Sequence, residues 1–208
     1  MQILNKEIML RESPVLLKLA LDKPEALTHF EAASGEWAIV NGALQGLTRE
    51  NGGGILYSKL SAPGDILMDF TGELVPPCEN DLNFVFKTEG WNYQANDAGR
   101  GYIGGLNGWY TKKAGLERYP ECTPAAQTAS FKIESGVKYH IQTGCIDGQV
   151  FLFVDGNLII EMNDPQYNDF ASLGRFGFGT YCSQARFSNL TVYRPKWKTD
   201  VLKYTPVF

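Results

Sequence analysis

Short apolar segments separated by turn dipeptides restrict the fold of this chain more than any other feature. In one of them, residues 37–48, Asn41-Gly42 separates two apolar runs, and this dipeptide is the strongest short hairpin signal. In residues 65–74 apolar and polar side chains alternate, as the two faces of a half-buried strand require. Turn signals recur roughly every 8–12 residues, and amphipathic helical periodicity is almost absent. The pattern predicts an all-β fold of about a dozen strands, a sandwich or a jelly roll.

The length and composition fit one domain of this kind. The chain has 208 residues, of which 44% are hydrophobic and 20% charged, so it can bury a sizeable core. We expect a single β-sandwich domain over residues 1–208, with its core at about residues 30–195 and terminal extensions at 1–29 and 196–208. No repeat of propeller or solenoid period is visible.

The charge and the N-terminal residues restrict partners and location. A formal net charge of −4 and a pI near 5.3 favour neither nucleic acid nor an anionic membrane as a partner. No apolar run approaches the ~20 residues of a helical membrane span. The first residues, MQILNKEIMLRESP, lack the basic region and long apolar run of a signal peptide, so we expect a cytoplasmic protein. Homo-oligomerisation is left open.

The four cysteines, Cys78, Cys122, Cys145 and Cys182, are widely and irregularly spaced. Neither a CxxC pair nor a Cys/His cluster is present, so a zinc site is not expected. The even count would allow two disulfides in an oxidising compartment, but the cytoplasmic expectation favours free, mostly buried thiols. No EF-hand-like acidic run marks a calcium site. We therefore assign no metal ligand and no cofactor.

Residues 89–120 are the best candidate site, with two tryptophans, four tyrosines, two arginines and seven glycines. Glycine lets the backbone approach a ligand closely, and Tyr and Trp combine an apolar face with a polar edge, which suits a sugar ring. The same aromatic side chains could instead pack a large loop onto the sandwich, and composition does not decide between these alternatives. Within this stretch we expect strands at 101–106 and 115–119, around an Asn107-Gly108 turn.

The C-terminal third contains several motifs in a definite order. A strand and hairpin around Asp155-Gly156 precede the segment GRFGF at 174–178 and the segment FSNLTV at 187–192. This order resembles the end of concanavalin A-like jelly-roll domains, and most closely the YesU-like bacterial domain. Residues 102–110 also resemble the long middle strand of that family. The resemblance covers roughly residues 30–195, and it implies a concanavalin A-like jelly-roll sandwich of two antiparallel sheets.

The resemblance also implies a function. In the wider fold, a curved sheet accepts saccharides on its concave face, and a structural calcium ion is common. The YesU-like group is associated with pectin-type glycans in bacteria. The implied function is a glycosidase or lyase acting on an oligosaccharide or glycoside in the concave face. The alternatives are a non-catalytic carbohydrate-binding module and an interaction subunit of a glycan-degrading complex. The enzyme is slightly favoured, because lone binding modules are usually secreted or attached to a catalytic domain.

Three residues are candidates for catalysis: Glu117, His140 and Tyr110. Glu117 stands beside Arg118, which would keep its carboxylate ionised, and a structural salt bridge is the alternative. His140 would be the base of a lyase if its strand face is the concave one, and is otherwise structural. Tyr110 could supply a phenolic acid or base. The E-x-D-x-x-E motif of related β-glucanases is absent, and the nearest approach, residues 79–81, is expected to be a solvated turn.

The remaining candidates are aromatic, cationic or amide side chains of the same stretch. Trp91 and Trp109 are expected to be platforms for sugar rings, because stacking uses their large apolar faces. The complete set of expected substrate-binding residues is Trp91, Tyr93, Arg100, Tyr102, Asn107, Trp109, Lys112 and Arg118.

Overall fold

The computed structural model describes residues 1–49, 52–108 and 112–199, and nearly all regular structure in these ranges is β-strand. The strands are β1 (Gln2–Ile3), β2 (Lys6–Ile8), β3 (Val15–Leu19), β4 (Phe30–Ser34), β5 (Glu36–Val40), β6 (Ala43–Leu47), β7 (Gly53–Ser58), β8 (Ile66–Leu74), β9 (Leu82–Thr88), β10 (Trp91–Asn92), β11 (Asp97–Ala98), β12 (Gly101–Gly108), β13 (Lys113–Tyr119), β14 (Ala125–Thr128), β15 (Lys138–Ile146), β16 (Gln149–Val154), β17 (Asn157–Asn163), β18 (Arg175–Tyr181), β19 (Gln184–Tyr193) and β20 (Trp197–Thr199). Three short 3₁₀ helices are η1 (Leu10–Glu12), η2 (Pro24–His29) and η3 (Tyr167–Phe170).

Two large antiparallel sheets form the sandwich. The seven-stranded sheet has the order β14-β13-β12-β9-β18-β7-β4. The eight-stranded sheet has the order β17-β16-β15-β8-β19-β6-β5, and β3 also pairs with β19. Many neighbouring strands are distant in sequence, as in a jelly roll. The prediction of an all-β, two-sheet sandwich is confirmed.

The hairpins form where the sequence predicts them. Asn41 and Gly42 join β5 to β6 with φ values of 52° and 72°, the positive values that a tight two-residue hairpin turn requires at both positions. Asp155 and Gly156 join β16 to β17 in the same way, with φ values of 49° and 80°. By contrast, Asn107 and Gly108 do not form the expected turn, because β12 continues through them to Gly108.

The main core lies between the two sheets. Alternate residues of each strand point inward, and four fully buried phenylalanines meet near the centre: Phe70, Phe84, Phe178 and Phe187. The rings of Phe178 and Phe187 stack with centroids 4.3 Å apart, and Phe70 meets Phe178 edge-on at 5.2 Å. Each such buried ring contributes about 1.5–3 kcal/mol of transfer free energy, so this contact between the sheets stabilises the sandwich.

The terminal segments cover part of the outer face of the eight-stranded sheet. There β1, β2 and β20 form a small sheet of their own. A second apolar cluster joins it to the eight-stranded sheet: Ile3, Ile8, Leu67, Ile146, Phe151 and Phe153. Because β3 also joins the eight-stranded sheet, residues before Phe30 contribute to the sandwich itself. No helix in the described ranges has the length and apolar character needed to cross a membrane.

Candidate functional site

The candidate site is a groove on the outer face of the seven-stranded sheet. Two adjoining cavities of about 320 and 440 Å³ form it, and both are bordered by Asn83, Ile103 and Tyr181. Glu117 borders the first cavity, and Trp91 borders the second. We call this space the outer-face groove. Its size lies within the range of small-molecule sites in proteins.

The strand register explains the floor of the outer-face groove. Ile103 of β12 stands opposite Val85 of β9 on one side and Glu117 of β13 on the other, so these three side chains share one face. Two positions along, Asn83 stands opposite Gly105. A Cβ atom at Gly105 would lie 2.0 Å from Asn83 Oδ1, so the amide side chain occupies the space that glycine leaves. The floor is therefore shallow and polar at this point.

Aromatic side chains border the outer-face groove. The hairpin of β10 and β11 places half-buried Trp91 at one end, and Tyr181 at the end of β18 is 52% exposed. The hairpin is held in place by a hydrogen bond from the Tyr119 hydroxyl to Asp97, and Tyr119 also borders the groove. Burial and this hydrogen bond raise the pKa of Tyr119, so its hydroxyl stays protonated and acts as a donor.

Three carboxylates border the outer-face groove: Asp81, Asp97 and Glu117. Burial raises the pKa of Asp81 above its ordinary value, against the opposing effect of hydrogen bonds from Asn80 and Asn83. The described residues that border the two cavities include no lysine and no arginine. The arrangement therefore offers apolar aromatic faces, three asparagine amides and several hydrogen-bond acceptors to a ligand.

Two of the residues predicted from sequence, Trp91 and Glu117, lie at the outer-face groove. Trp109 and Tyr110 lie outside the described residues, so their expected roles stay predictions. Tyr93 belongs to the β10–β11 hairpin loop and is 68% exposed, and its hydroxyl donates to Glu31 at 2.8 Å.

Tyr102 and Arg118 face the interior, which corrects the expectation that they contact substrate. Tyr102 is fully buried, and its hydroxyl donates to Asp164 Oδ2 at 2.6 Å. Arg118 Nη1 donates to the same oxygen at 2.9 Å, and its guanidinium lies 4.0 Å from the ring centroid of Phe170. Because side chains alternate along a strand, the neighbours of Ile103 and Glu117 must point away from the groove. Tyr102 and Arg118 therefore stabilise the sandwich through their shared contact with Asp164.

Asn107, Lys112 and Arg100 do not border the outer-face groove and have protein partners, and their expected roles in substrate binding stay predictions. The Asn107 amide donates to the carbonyls of Glu79 and Ile133 at 2.9 and 2.7 Å, and its oxygen accepts from the Ile133 N–H at 2.9 Å. Lys112 is ion-paired with Glu79. Arg100 is ion-paired with Glu89 at 3.2 Å. These three side chains anchor loops around the sheet.

His140 lies on the other sheet and not at the outer-face groove, so its contacts support the structural role that the sequence left open for it. It belongs to β15, which pairs with β8 and β16 in the eight-stranded sheet. Its Nε2 is 2.8 Å from Asp69 Oδ1, and Gln142 donates to the other oxygen of Asp69 at 2.7 Å. His140 and Glu117 thus lie on different sheets and point to opposite sides of the molecule.

Sequence reasoning missed several groove residues. Tyr119 was detectable, because it is two positions from Glu117 on the same strand face. Asn83 and Ile103 required the register between β9 and β12, and no local signal encodes that register. Asp81 had been expected in a solvated turn. It is instead half-buried beside the groove, which corrects that interpretation.

The thiols and the acidic residues give no metal site in the described ranges. All four cysteines are free in this structure, and only Cys145 is buried. Burial raises the pKa of Cys145 to about 12, so its thiol is unreactive. Cys122 is exposed, and Cys78 and Cys182 are half-buried, so the expectation of mostly buried thiols is wrong. No group of three or more His, Cys, Asp or Glu side chains in the described part of the chain could hold a metal ion.

Comparisons with known proteins identify the fold. No protein-family model matches the sequence, and no curated protein matches it. The carbohydrate-binding module CBM66 from Bacillus subtilis is 20% identical, with a TM-score of 0.61 over 79% of this chain and 95% of that one. A Bacillus subtilis protein of unknown function with a galectin-like fold is 12% identical, with a TM-score of 0.64 over 90% and 97%. A Bacillus licheniformis β-glucanase is 10% identical, with a TM-score of 0.55 over 85% and 96%. The chain has the concanavalin A-like jelly-roll fold. At these identities the likeness shows the fold alone.

Proposed function

We propose that the outer-face groove binds a saccharide chain. The observation that carries the proposal is the pair of aromatic side chains, Trp91 and Tyr181, bordering a groove that is also bordered by Asn83 and Glu117. A sugar ring has an apolar C–H face that can stack on an aromatic ring and a rim of hydroxyls that can bond to amides and carboxylates. The printed names of two structural neighbours, a carbohydrate-binding module and a β-glucanase, support the same class of ligand.

Binding without turnover is the form of this function that the geometry supports best. A glycosidase usually needs two carboxyl groups about 5–10 Å apart. At ~3.3 Å per residue and ~4.8 Å per strand, the backbones of Asp81 and Glu117 are roughly 16 Å apart, four positions along the sheet and two strands across it. A lyase needs a base and a cation that stabilises an enolate. The described groove lining contains neither a histidine nor a lysine or arginine.

Glycoside hydrolysis is the second candidate, and one observation favours it. The raised pKa of Asp81 is what a general acid requires, and this carboxyl borders the same cavity as Glu117. In this form of the proposal, Glu117 is the second carboxylate. Asp81→Asn and Glu117→Gln should then each lower turnover at least about a hundredfold, measured by product release from the oligosaccharides that bind.

The binding proposal is tested by calorimetric titration of the purified protein with neutral oligosaccharides. Trp91→Ala and Tyr181→Ala should each weaken binding about tenfold or more, because each removes a stacking face worth about 1–3 kcal/mol. Tyr167→Ala is the matched control, since this half-buried tyrosine lies in η3 and does not border the groove. Equal binding by all three variants, with unchanged melting temperatures, would count against the outer-face groove as the site.

Three finer expectations belong to this proposal: a YesU-like relationship, a cytoplasmic location and a structural calcium ion. The order of motifs in residues 138–192 supports the first of them. A calcium ion that stabilises the fold would raise the melting temperature, and EDTA would reverse the rise. An unchanged melting temperature with calcium or EDTA would remove the ion from the proposal.

A further inference from the structure

We infer that the ligand of the outer-face groove is a chain of about three or more sugar units, which continues from the groove into a third cavity at the rim of the sandwich. The inference rests on the proposed saccharide-binding function and adds the length of the ligand. The third cavity measures about 390 Å³, and we call it the rim cavity. Asn80 and Cys182 border both the rim cavity and the first cavity of the groove, so the two spaces adjoin.

One chain segment passes all three cavities in order. It begins in β18 and continues into β19, which belongs to the other sheet. Residues 179–180 border the second cavity of the groove, and Tyr181 borders the second and the first. Cys182 borders the first cavity and the rim cavity, and residues 183–184 border the rim cavity. Each successive residue therefore lies further along the same path.

The neighbouring segment passes the cavities in the same order. β9 lies antiparallel beside β18, so its residues follow that path when they are taken backwards along the chain. Val85 borders the second cavity, and Asn83 borders the second and the first. Asn80 then borders the first cavity and the rim cavity, and Cys78 borders the rim cavity. The three cavities therefore form one line along these two segments.

The length of this line sets the length of the ligand. Residues 179–184 span at most roughly 17 Å, because an extended chain advances no more than ~3.3–3.6 Å per residue. A single sugar ring or a disaccharide would occupy only part of that distance. An extended chain of about three or four units would reach from the second cavity into the rim cavity.

The two ends of the line offer different contacts. Trp91 and Tyr181 offer stacking faces at the second cavity, whereas the described lining of the rim cavity includes no aromatic side chain. Asn80 and Gln184 place amide side chains there instead. A short saccharide should therefore bind at the aromatic end, and a longer one should add hydrogen bonds at the rim.

The backbone between the groove and the rim cavity is fixed by hydrogen bonds. Ser183 is 4% exposed, and its Oγ accepts from the Tyr181 N–H at 3.1 Å and donates to the Asp81 carbonyl at 2.7 Å. The Ser183 carbonyl accepts from the Thr48 N–H at 2.9 Å. Cys182 is held at the junction between these anchored residues. A site that is ordered before the ligand arrives loses less entropy on binding.

The native cysteines provide a direct test of where the ligand ends. Half-buried Cys78 borders the rim cavity, whereas exposed Cys122 borders none of the three cavities, and Cys145 lies in the core. Iodoacetamide alkylates a thiolate with loss of iodide, and mass spectrometry gives the rate at each cysteine. The ligands are β-1,4-linked gluco- and manno-oligosaccharides of about two to six units, each at about ten times its own Kd.

We expect chains of about four or more units to slow alkylation of Cys78 about tenfold, since that is the occupied fraction at this concentration. The disaccharide should slow it less than about twofold, and Cys122 should react at the same rate throughout. Equal protection of Cys78 by the disaccharide, or none by a long chain that binds, would overturn the inference. Equal slowing at Cys78 and Cys145 would overturn it too, because the ligand would then act by stabilising the whole fold.

The affinities provide an independent test. From two to about four units, each added unit should lower Kd about two- to tenfold, because each adds about one hydrogen bond, and longer chains should bind no more tightly. A Kd that stops falling at two units would overturn the inference and leave saccharide binding intact. If no chain of any length binds, the saccharide-binding proposal fails, and the inference fails with it.

Two glutamine variants assign the effect of length to the rim cavity. Gln184→Ala should weaken binding of the four-unit chain about two- to tenfold and leave binding of the disaccharide unchanged. Gln2→Ala is the matched control, because Gln2 is an exposed glutamine of β1 on the opposite side of the sandwich. It should change neither affinity. If Gln184→Ala weakened both ligands equally, or neither of them, the rim cavity would not be the place where a longer chain gains its contacts.

Discussion

The outer faces of the two sheets differ in what covers them. On the eight-stranded sheet, Phe151 and Phe153 of β16 lie under the small terminal sheet and are almost fully buried. On the seven-stranded sheet, the corresponding outward positions include Gly105, Asn83 and Glu117, and the last two border a groove. Large apolar residues on an outer face must be shielded from water by other residues, whereas small and polar residues can remain accessible to a ligand. The comparison distinguishes a face used for stability from a face available for binding.

Removing an aromatic ring that lies under the small terminal sheet should have the largest effect on stability. Phe151→Ala should lower the free energy of unfolding by about 3–5 kcal/mol, because the ring is fully buried and its loss leaves a cavity. The urea midpoint would measure the change. Binding at the outer-face groove should persist in the folded fraction, since Phe151 lies on the other sheet. Loss of binding with a small change in stability would contradict this division between the faces.

The partner of buried Arg118 and the neighbouring groove residue Glu117 should also separate stability from binding. Asp164→Ala should cost about 3–5 kcal/mol, because it leaves Arg118 and Tyr102 without their buried acceptor. Glu117→Gln, one position from Arg118 on the opposite face, should cost much less stability than Asp164→Ala and should weaken saccharide binding. Urea unfolding and calorimetric titration of the same two variants would make the comparison. If Asp164→Ala were no more destabilising than Glu117→Gln, the buried network would not have the structural role assigned to it.

The groove floor should tolerate no extra side-chain volume at Gly105. Gly105→Ala places a methyl group against Asn83 Oδ1 and 2.9 Å from the Leu82 carbonyl oxygen, so we expect a loss of about 1–3 kcal/mol and weaker binding. Gly53→Ala is the control for stability, because its new Cβ would meet its nearest neighbour, the Tyr181 ring, at 3.8 Å. Thermal unfolding of both variants measures the difference. Equal melting temperatures would mean that Asn83 can move aside without cost.

The sequence predicted the fold well and the site only in part, for one physical reason. Hairpins such as Asn41-Gly42 are encoded locally, so the all-β pattern was readable. Strand alternation was also readable, and it separates Glu117 from Arg118 without any structure. Alternation does not show which face of a strand points into the core, and it does not show which sheet the strand joins. For that reason the sequence left open whether His140 lies beside Glu117, and the role of Asn83 was missed.

The smallest expected effect is a change in the pH dependence of stability, and it concerns the carboxyl group of Asp81. Burial raises the pKa of Asp81 above its ordinary 3.8, so the native state holds this proton more tightly than the unfolded state does. The wild-type protein therefore loses stability as the pH rises from about 3.8 through the raised pKa of Asp81 in the native state. The Asp81→Asn variant does not show this loss. At pH 7 the variant should be more stable by less than about 1 kcal/mol, and the gain should disappear below the ordinary pKa.

Glu7 provides a control of opposite sign for this pH dependence. The hydrogen bond and charge of Lys198 lower its pKa, so its contribution to stability is present above the ordinary 4.5 and is lost as the pH falls through the lowered value. Glu7→Gln should therefore be slightly less stable than the wild type near neutral pH, whereas Asp81→Asn is more stable. Urea midpoints from pH 3 to 8 would compare the two. If both variants shifted stability in the same direction, burial beside the groove would not be the cause at Asp81, and the contrast between a desolvated groove carboxyl and a solvated surface pair would fail.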